Sequence, residues 1–204
     1  MNKQGRWGMA IAAVIAGAWL LWKLPSIGRG ALFAANEAAA IDALRRVHTA
    51  ELDFRRNDGD GNGVPDFWTG DLSGLYRVAQ PNGEASAFLD PVIASADRAP
   101  LPPGSGTRPR LTADLPPKAW NGYWMRALKG FASDGPDEDS NAWENLRGFA
   151  FVAFPVKAGE SGKRVFLVGV DGTVWAKDAA EAAPEGPAEW PARGPEADGW
   201  KKAE

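Results

Sequence analysis

The chain has 204 residues, 45% of them hydrophobic and 24% charged, with a formal net charge of −3. That size accommodates one membrane anchor and one domain of ordinary dimensions, and the acidic balance offers no clustered basic field for a nucleic acid. The lack of cysteine excludes a disulfide frame, a thiolate zinc site and a thiol nucleophile, and the single histidine, His48, excludes a His-rich metal cluster.

Trp7 to Ile27 (WGMAIAAVIAGAWLLWKLPSI) contains no acid and one base, Lys23. As a helix with Lys23 snorkelling, it reaches roughly 32 Å at about 1.5 Å per residue, enough to cross a hydrocarbon core of about 30 Å. Trp7 at one end and Trp19 and Trp22 at the other suit the interfacial preference of indole rings. A cleaved secretory signal is the competing reading. Ala31-Leu32-Phe33-Ala34-Ala35 offers small residues to a peptidase, but Pro25 and the distance from the apolar core fit it poorly. Residues 1–30 are therefore expected to form an uncleaved membrane anchor.

Ala31 to Phe54 is rich in Ala, Leu and Glu, all good helix formers. Ala34, Ala38, Ile41, Leu44 or Arg45, His48 and Leu52 follow three- and four-residue steps, with Ala40, Leu44, Val47 and Glu51 beside them on the wheel. This predicts a stalk helix with one apolar stripe. His48 lies beside that stripe and is expected to pack with one satisfied hydrogen bond.

The helix is expected to stop at Asn57-Asp58-Gly59-Asp60-Gly61-Asn62-Gly63, where glycines favour turns. Asp58-x-Asp60-x-Asn62-Gly63-x-x-Asp66 places side-chain oxygens at positions 1, 3, 5 and 9 of a calcium loop, with the Val64 carbonyl at position 7. A hard divalent cation takes six to eight oxygens, and glycine at position 6 permits the reversal that turns them inward. Calcium is thus the candidate cofactor, with Asp58, Asp60, Asn62, Val64 and Asp66 as ligands. Position 12, which would carry a bidentate acid, is Thr69. An Asp/Gly turn that binds nothing is the competing reading.

Asp66 to Val78 predicts an aromatic segment and a helical turn, and Phe88 to Ala94 a small apolar patch. Residues 99–117 (APLPPGSGTRPRLTADLPP) read as an extended proline-rich surface loop. Trp120 to Leu128 suits a strand, and Ser133 to Ser140 is an acidic loop. Gly148–Val156, Arg164–Val170 and Thr173–Lys177 are three further apolar strand candidates. Gly159 to Lys163 makes one reversal between them; Asp171-Gly172 makes the next and suggests a two-residue type I′ turn. The expected fold class is α+β: an N-terminal transmembrane helix continuing into a stalk packed on a small antiparallel sheet. Residues 31–178 form that domain, and 179–204 read as a low-complexity tail, disordered or loosely docked.

Asn121-Gly122-Tyr123-Trp124-Met125-Arg126, Gly148-Phe149-Ala150-Phe151-Val152-Ala153-Phe154-Pro155, Gly159-Glu160-Ser161-Gly162 and Asp171-Gly172-Thr173-Val174 with Lys177-Asp178 carry a resemblance. Together they resemble an exported bacterial family of unknown function that joins GYxxR, GFAxVAxP, GxSG and DGxVxxKD segments. Asn36 to Arg45 similarly resembles the helix of type IV pilin-like and pseudopilin proteins. The resemblance implies a pilin-like head on a helical stalk in the bacterial inner membrane, with the C-terminal domain in the periplasm. It also implies a structural or assembly role whose partners are other envelope or secretion-system proteins. Pilin precursors carry Phe-Thr-Leu-x-Glu after a cleavage glycine, whereas Gly8 is followed here by Met9-Ala10-Ile11-Ala12-Ala13.

Catalytic patterns fail on their spacing. Gly159-Glu160-Ser161-Gly162 is one residue short of a nucleophile elbow, and Gly162-Lys163 lacks the remainder of a phosphate loop. Asp137, Glu138 and Asp139 lie in the solvated acidic loop. Trp68, Trp124 and Trp143 are expected in core packing. The leading expectation is a non-enzymatic protein; the alternative is a calcium-dependent domain that binds carbohydrate or envelope polymer.

Overall fold

The computed structural model describes residues 4–76, 78–79, 85–101, 115–130 and 146–204, with side chains from residue 28 onward except those of 79 and 85. Its first element is one uninterrupted helix, α1 (Gln4–Arg56). A 3-10 turn (Ser73–Tyr76), the short strands β1 (Val78–Ala79) and β2 (Ala85–Ser86), and a one-turn helix α2 (Pro91–Ala94) follow. The main sheet comprises β3 (Tyr123–Ala127), β4 (Ala150–Pro155), β5 (Arg164–Gly169), β6 (Val174–Asp178) and β7 (Lys201–Lys202), in that spatial order and antiparallel throughout. The fold is α+β, with one long helix against a five-stranded meander.

Helix α1 ends in a left-handed cap. Gly59 N–H donates to Phe54 O at 2.9 Å and Asp58 N–H to Arg55 O at 3.4 Å, while Asp58 takes φ +49°. These are the paired reversed bonds of a Schellman end, with an aspartate where glycine is usual. The buried face of α1 is rotated from the expected stripe. Phe33, Glu37, Ala40, Leu44, Val47, Ala50, Glu51 and Phe54 are buried, whereas Ala34 and Ala38 are exposed and Leu52 is 42% exposed. Glu37 and Glu51 lie on the buried face and accept backbone N–H groups of Lys163, Arg164 and Trp68, a polar component that a hydrophobic stripe does not mark.

Strand residues alternate between two cores, as a pleated strand requires. Tyr123, Met125, Phe151, Ala153, Phe166, Val168, Val174 and Ala176 join the core under α1. Ala150, Val152, Phe154, Val165, Leu167 and Trp175 face a second core with Trp200 and Ala179. The register pairs Val152 with Leu167 and Leu167 with Trp175 on that second face. The 179–204 segment, expected to be disordered or loosely docked, is docked on the second core. It returns as an edge strand, with Ala176 opposite Lys201 and Trp175 opposite Lys202. Low sequence complexity hides this, because the segment enters the second core with only Trp190 and Trp200 beside the small Ala179 and Ala182.

The β5–β6 turn also differs from expectation. Gly172 N–H donates to Gly169 O at 3.0 Å, and Gly172 alone in the turn has positive φ, at +72°. A type I′ turn needs positive φ at two central residues; Asp171 does not adopt it. Instead Asp171 Oδ1 accepts from Thr173 N–H at 3.0 Å, which fixes the chain as it enters β6.

Candidate functional site

The motif-bearing residues gather where the strands end against α1. Glu37 Oε1 accepts from Lys163 N–H at 2.9 Å and Arg164 N–H at 3.3 Å, and its Oε2 pairs with Arg164 Nε at 2.8 Å. Asn36 Nδ2 donates to Ser161 O at 2.8 Å. Tyr123 O–H donates to Arg164 O at 3.0 Å, and burial pushes that phenol's pKa well up. Gly162 lies so close to the Tyr123 ring that no Cβ fits, and a Cβ on Gly122, at φ +75°, would meet Ser161 Cβ at 2.9 Å. The Gly159–Gly162 motif is thus a hairpin tip clamped on the helix, as the turn reading expected.

At the opposite end of β5, His48 Nε2 lies 3.0 Å from Val170 O, and its ring sits 5.9 Å from Phe149. The expected packing role with one hydrogen bond is what the structure has. A Cβ on Gly172 would stand 2.9 Å from the imidazole. Since Glu37 meets the start of β5 and His48 its end, β5 runs alongside α1 in the same direction. GxSG and DGxV are therefore the two ends of one strand, each fastened to the shaft.

The proposed calcium ligands form a self-bonded turn just past the helix. Asp58 Oδ2 accepts from Gly63 N–H at 2.9 Å, Asp60 Oδ1 from Asn62 N–H at 3.4 Å, and Asn62 Oδ1 from Val64 N–H at 2.6 Å. Asp60 Oδ2 also accepts from Asn62 Nδ2 at 3.0 Å, and Val64 O accepts from Asp66 N–H at 2.9 Å. Asp58 Oδ1 is buried without a hydrogen-bond partner. Asp66 is 6% exposed, while Val64 is 42% exposed. The structure brings Asp58, Asp60 and Asn62 into one turn. Among the described residues no three acidic or histidine side chains form a metal-binding group.

A buried carboxylate pair, which the sequence did not disclose, ties the loop segments together. Asp97 Oδ2 accepts from Leu72 N–H at 2.9 Å and Ser73 N–H at 2.8 Å, and Oδ1 from Ala99 N–H at 3.0 Å. Asp71 Oδ1 accepts from Gly74 N–H at 2.9 Å and Trp68 Nε1–H at 3.1 Å. Its Oδ2 accepts from Ser73 O–H at 2.9 Å and Leu101 N–H at 2.8 Å. Burial raises the Asp97 pKa to about 6, with the neighbouring Asp71 charge adding to it and the backbone N–H groups opposing it. These oxygens are committed to main-chain N–H groups and to the Trp68 and Ser73 side chains, so the pair fastens loops rather than presenting itself to a substrate. The spacing of Asp71 and Asp97 follows no motif, so only the fold brings them together.

Trp68, 4% exposed and edge-on to Phe54 at 5.9 Å, is a core residue as expected, and Trp124 packs on the second core. Trp143, the acidic triplet Asp137, Glu138 and Asp139, residues 102–114 of the proline-rich loop, and the side chains of Trp7 to Ile27 lie outside the described residues. Among the described residues, no helix is long and apolar enough to cross a membrane.

Fold and anchoring points together define a class: an α+β lobe whose antiparallel meander is pinned at both ends to one long N-terminal helix. Residues 29–202 match the model of the family described as Protein of unknown function (DUF2950), and the chain belongs to that family. The chain matches none of the curated proteins and none of the solved structures compared with it.

Proposed function

We propose that this protein is a membrane-tethered, non-enzymatic, pilin-like structural or assembly protein. In this reading Trp7–Ile27 lies in the bacterial inner membrane and the lobe projects into the periplasm, where it contacts envelope or secretion-system proteins. The carrying observation is the continuity of α1 from Gln4 to Arg56: the apolar span and the helix that packs into the lobe's main core are one element. A helix anchored in that way turns the lobe into a rigid display, because any motion of the shaft relative to the sheet would break the Glu37 and His48 attachments. Membrane flotation of the full chain tests the reading. The expected outcome is co-migration with lipid that survives high salt and alkaline carbonate; an intact chain left in the soluble cytoplasmic fraction overturns it.

A calcium-dependent domain that binds envelope polymer or carbohydrate is a second reading, favoured by one observation. Asp58 Oδ1 is a buried carboxylate oxygen with no hydrogen-bond partner, in a loop of further oxygen donors. Asp58, Asp60, Asn62, Asp66 and the Val64 carbonyl would hold the cation after their internal bonds rearrange. A ligand that binds only the folded state at one hundred times its Kd stabilises by about 2.7 kcal/mol. Millimolar calcium is then expected to raise the melting temperature, and Asp58→Asn to abolish the rise. No rise removes the metal, and equal retention on cell-wall material with and without chelator removes the polymer.

A further inference from the structure

We infer that the β4–β5 hairpin tip is the lobe's membrane-facing surface and rests in the phospholipid headgroup layer. This deepens the tethered reading and rests on it. The direction of β5 carries the inference. Its first residue, Arg164, is fastened to Glu37, and the chain just past its last is fastened to His48 through the Val170 carbonyl. The end of the sheet nearest the apolar span is therefore the one that holds the β4–β5 tip, and the β5–β6 turn points away.

Distances along the helix place that tip near lipid. At about 1.5 Å per residue, Leu32 lies roughly 8 Å and Asn36 roughly 14 Å from Ile27. A bilayer of about 40–45 Å with a core of about 30 Å leaves roughly 5–8 Å of headgroup on each side. A tilt of about 20° toward the hairpin lowers its tip by a few ångströms more. The exposed side chains at this end suit such a boundary. Leu32 and Val156 are each 51% exposed, and the Lys157 side chain is 68% exposed. Lys163 holds its ammonium 5.7 Å from the Phe33 ring.

Charge does not drive the contact. Lys157 pairs with Glu160, Arg164 pairs with Glu37, and Asp178 stands exposed at the same end. The contact is thus an apolar edge with balanced ions, held down by the tether.

The absence of cysteine permits single-site labelling of the full chain. Val156→Cys and Lys157→Cys report on the tip, and Val170→Cys, whose parent residue is 39% exposed, reports on the far end. Each variant carries an environment-sensitive fluorophore and is reconstituted into phosphatidylcholine vesicles containing headgroup-spin-labelled lipid. The expected result is flotation of all three, with several-fold stronger quenching at 156 and 157 than at 170. Flotation with equal quenching at both ends overturns this inference and leaves the tether standing. Failure to float overturns the tether, and the headgroup contact with it.

Discussion

The two faces of the sheet are covered by opposite means. On one, α1 contributes a regular amphipathic stripe, and buried carboxylates (Glu37, Glu51, Asp66, Asp71 and Asp97) lie among the helix and its adjoining loops. On the other, an irregular segment contributes Trp190 and Trp200, and the polar group holding it is a cation. Arg126 donates to the carbonyls of Glu185, Gly186 and Pro187 at 3.2, 3.3 and 2.8 Å, and burial lowers its pKa. Regular structure satisfies its own backbone, so α1 needs side-chain help only where loops and strand ends arrive with spare N–H donors; anions supply it. The tail arrives with spare carbonyls, and a guanidinium, which has five donors and no acceptor, is matched to them.

The comparison breaks most completely at Phe54, which is fully buried between Trp68 and Phe88 and carries Gly59 on its ring. Phe54→Ala should cost about 3–5 kcal/mol and lower the single melting transition of the whole lobe by calorimetry. If the tail face melted separately and first, the two cores would not be one cooperative unit.

The acid side is sharpened by pH. Asp97 has a folded pKa of about 6, above its ordinary value of 3.8, so the fold favours its protonated form. Its contribution is fully present below pH 3.8 and is lost as pH rises through 6, on the order of 3 kcal/mol in total. Stability measured by urea titration should therefore carry a component that falls between pH 4 and 7. Asp97→Asn should flatten that component, and an unchanged slope in the variant would assign it elsewhere.

The smallest effect belongs to the tail. Trp200 is 5% exposed, its backbone N–H donates to Pro195 O at 3.0 Å, and Lys177 lies 5.9 Å from its ring. Trp200→Ala should release β7 by local opening, at a global cost below that of Phe54→Ala because the segment can detach by itself. The readout is faster proteolysis within 179–204 with the main melting transition little moved. A global loss as large as that of Phe54→Ala would show the tail to be integral to the fold.

Much of this arrangement was legible in the chain. Helix formers and stepped apolar residues at 31–54 marked the lobe's part of α1, the runs at 148–156, 164–170 and 173–177 marked three strands, and Asn57 to Gly63 marked the helix end. The Asp58 loop was legible as a set of oxygens. The Schellman end and the internal Asx bonds that shape it were not, because they depend on where α1 stops and how Phe54 packs on Gly59.

Sequence by itself determined the long helix and the strands β3 to β6, since helix and strand periodicities are local and each of those segments carries its own. The tertiary structure alone decided which face of α1 is buried, which strand ends meet it, and that the 179–204 segment closes the second core. Those choices depend on unpaired N–H and C=O groups meeting distant side chains: Glu37 with Lys163, Asp97 with Leu72, Arg126 with Pro187. A buried polar group takes whichever partner the fold brings within about 3 Å, and no local pattern encodes a partner 25 to 126 residues away.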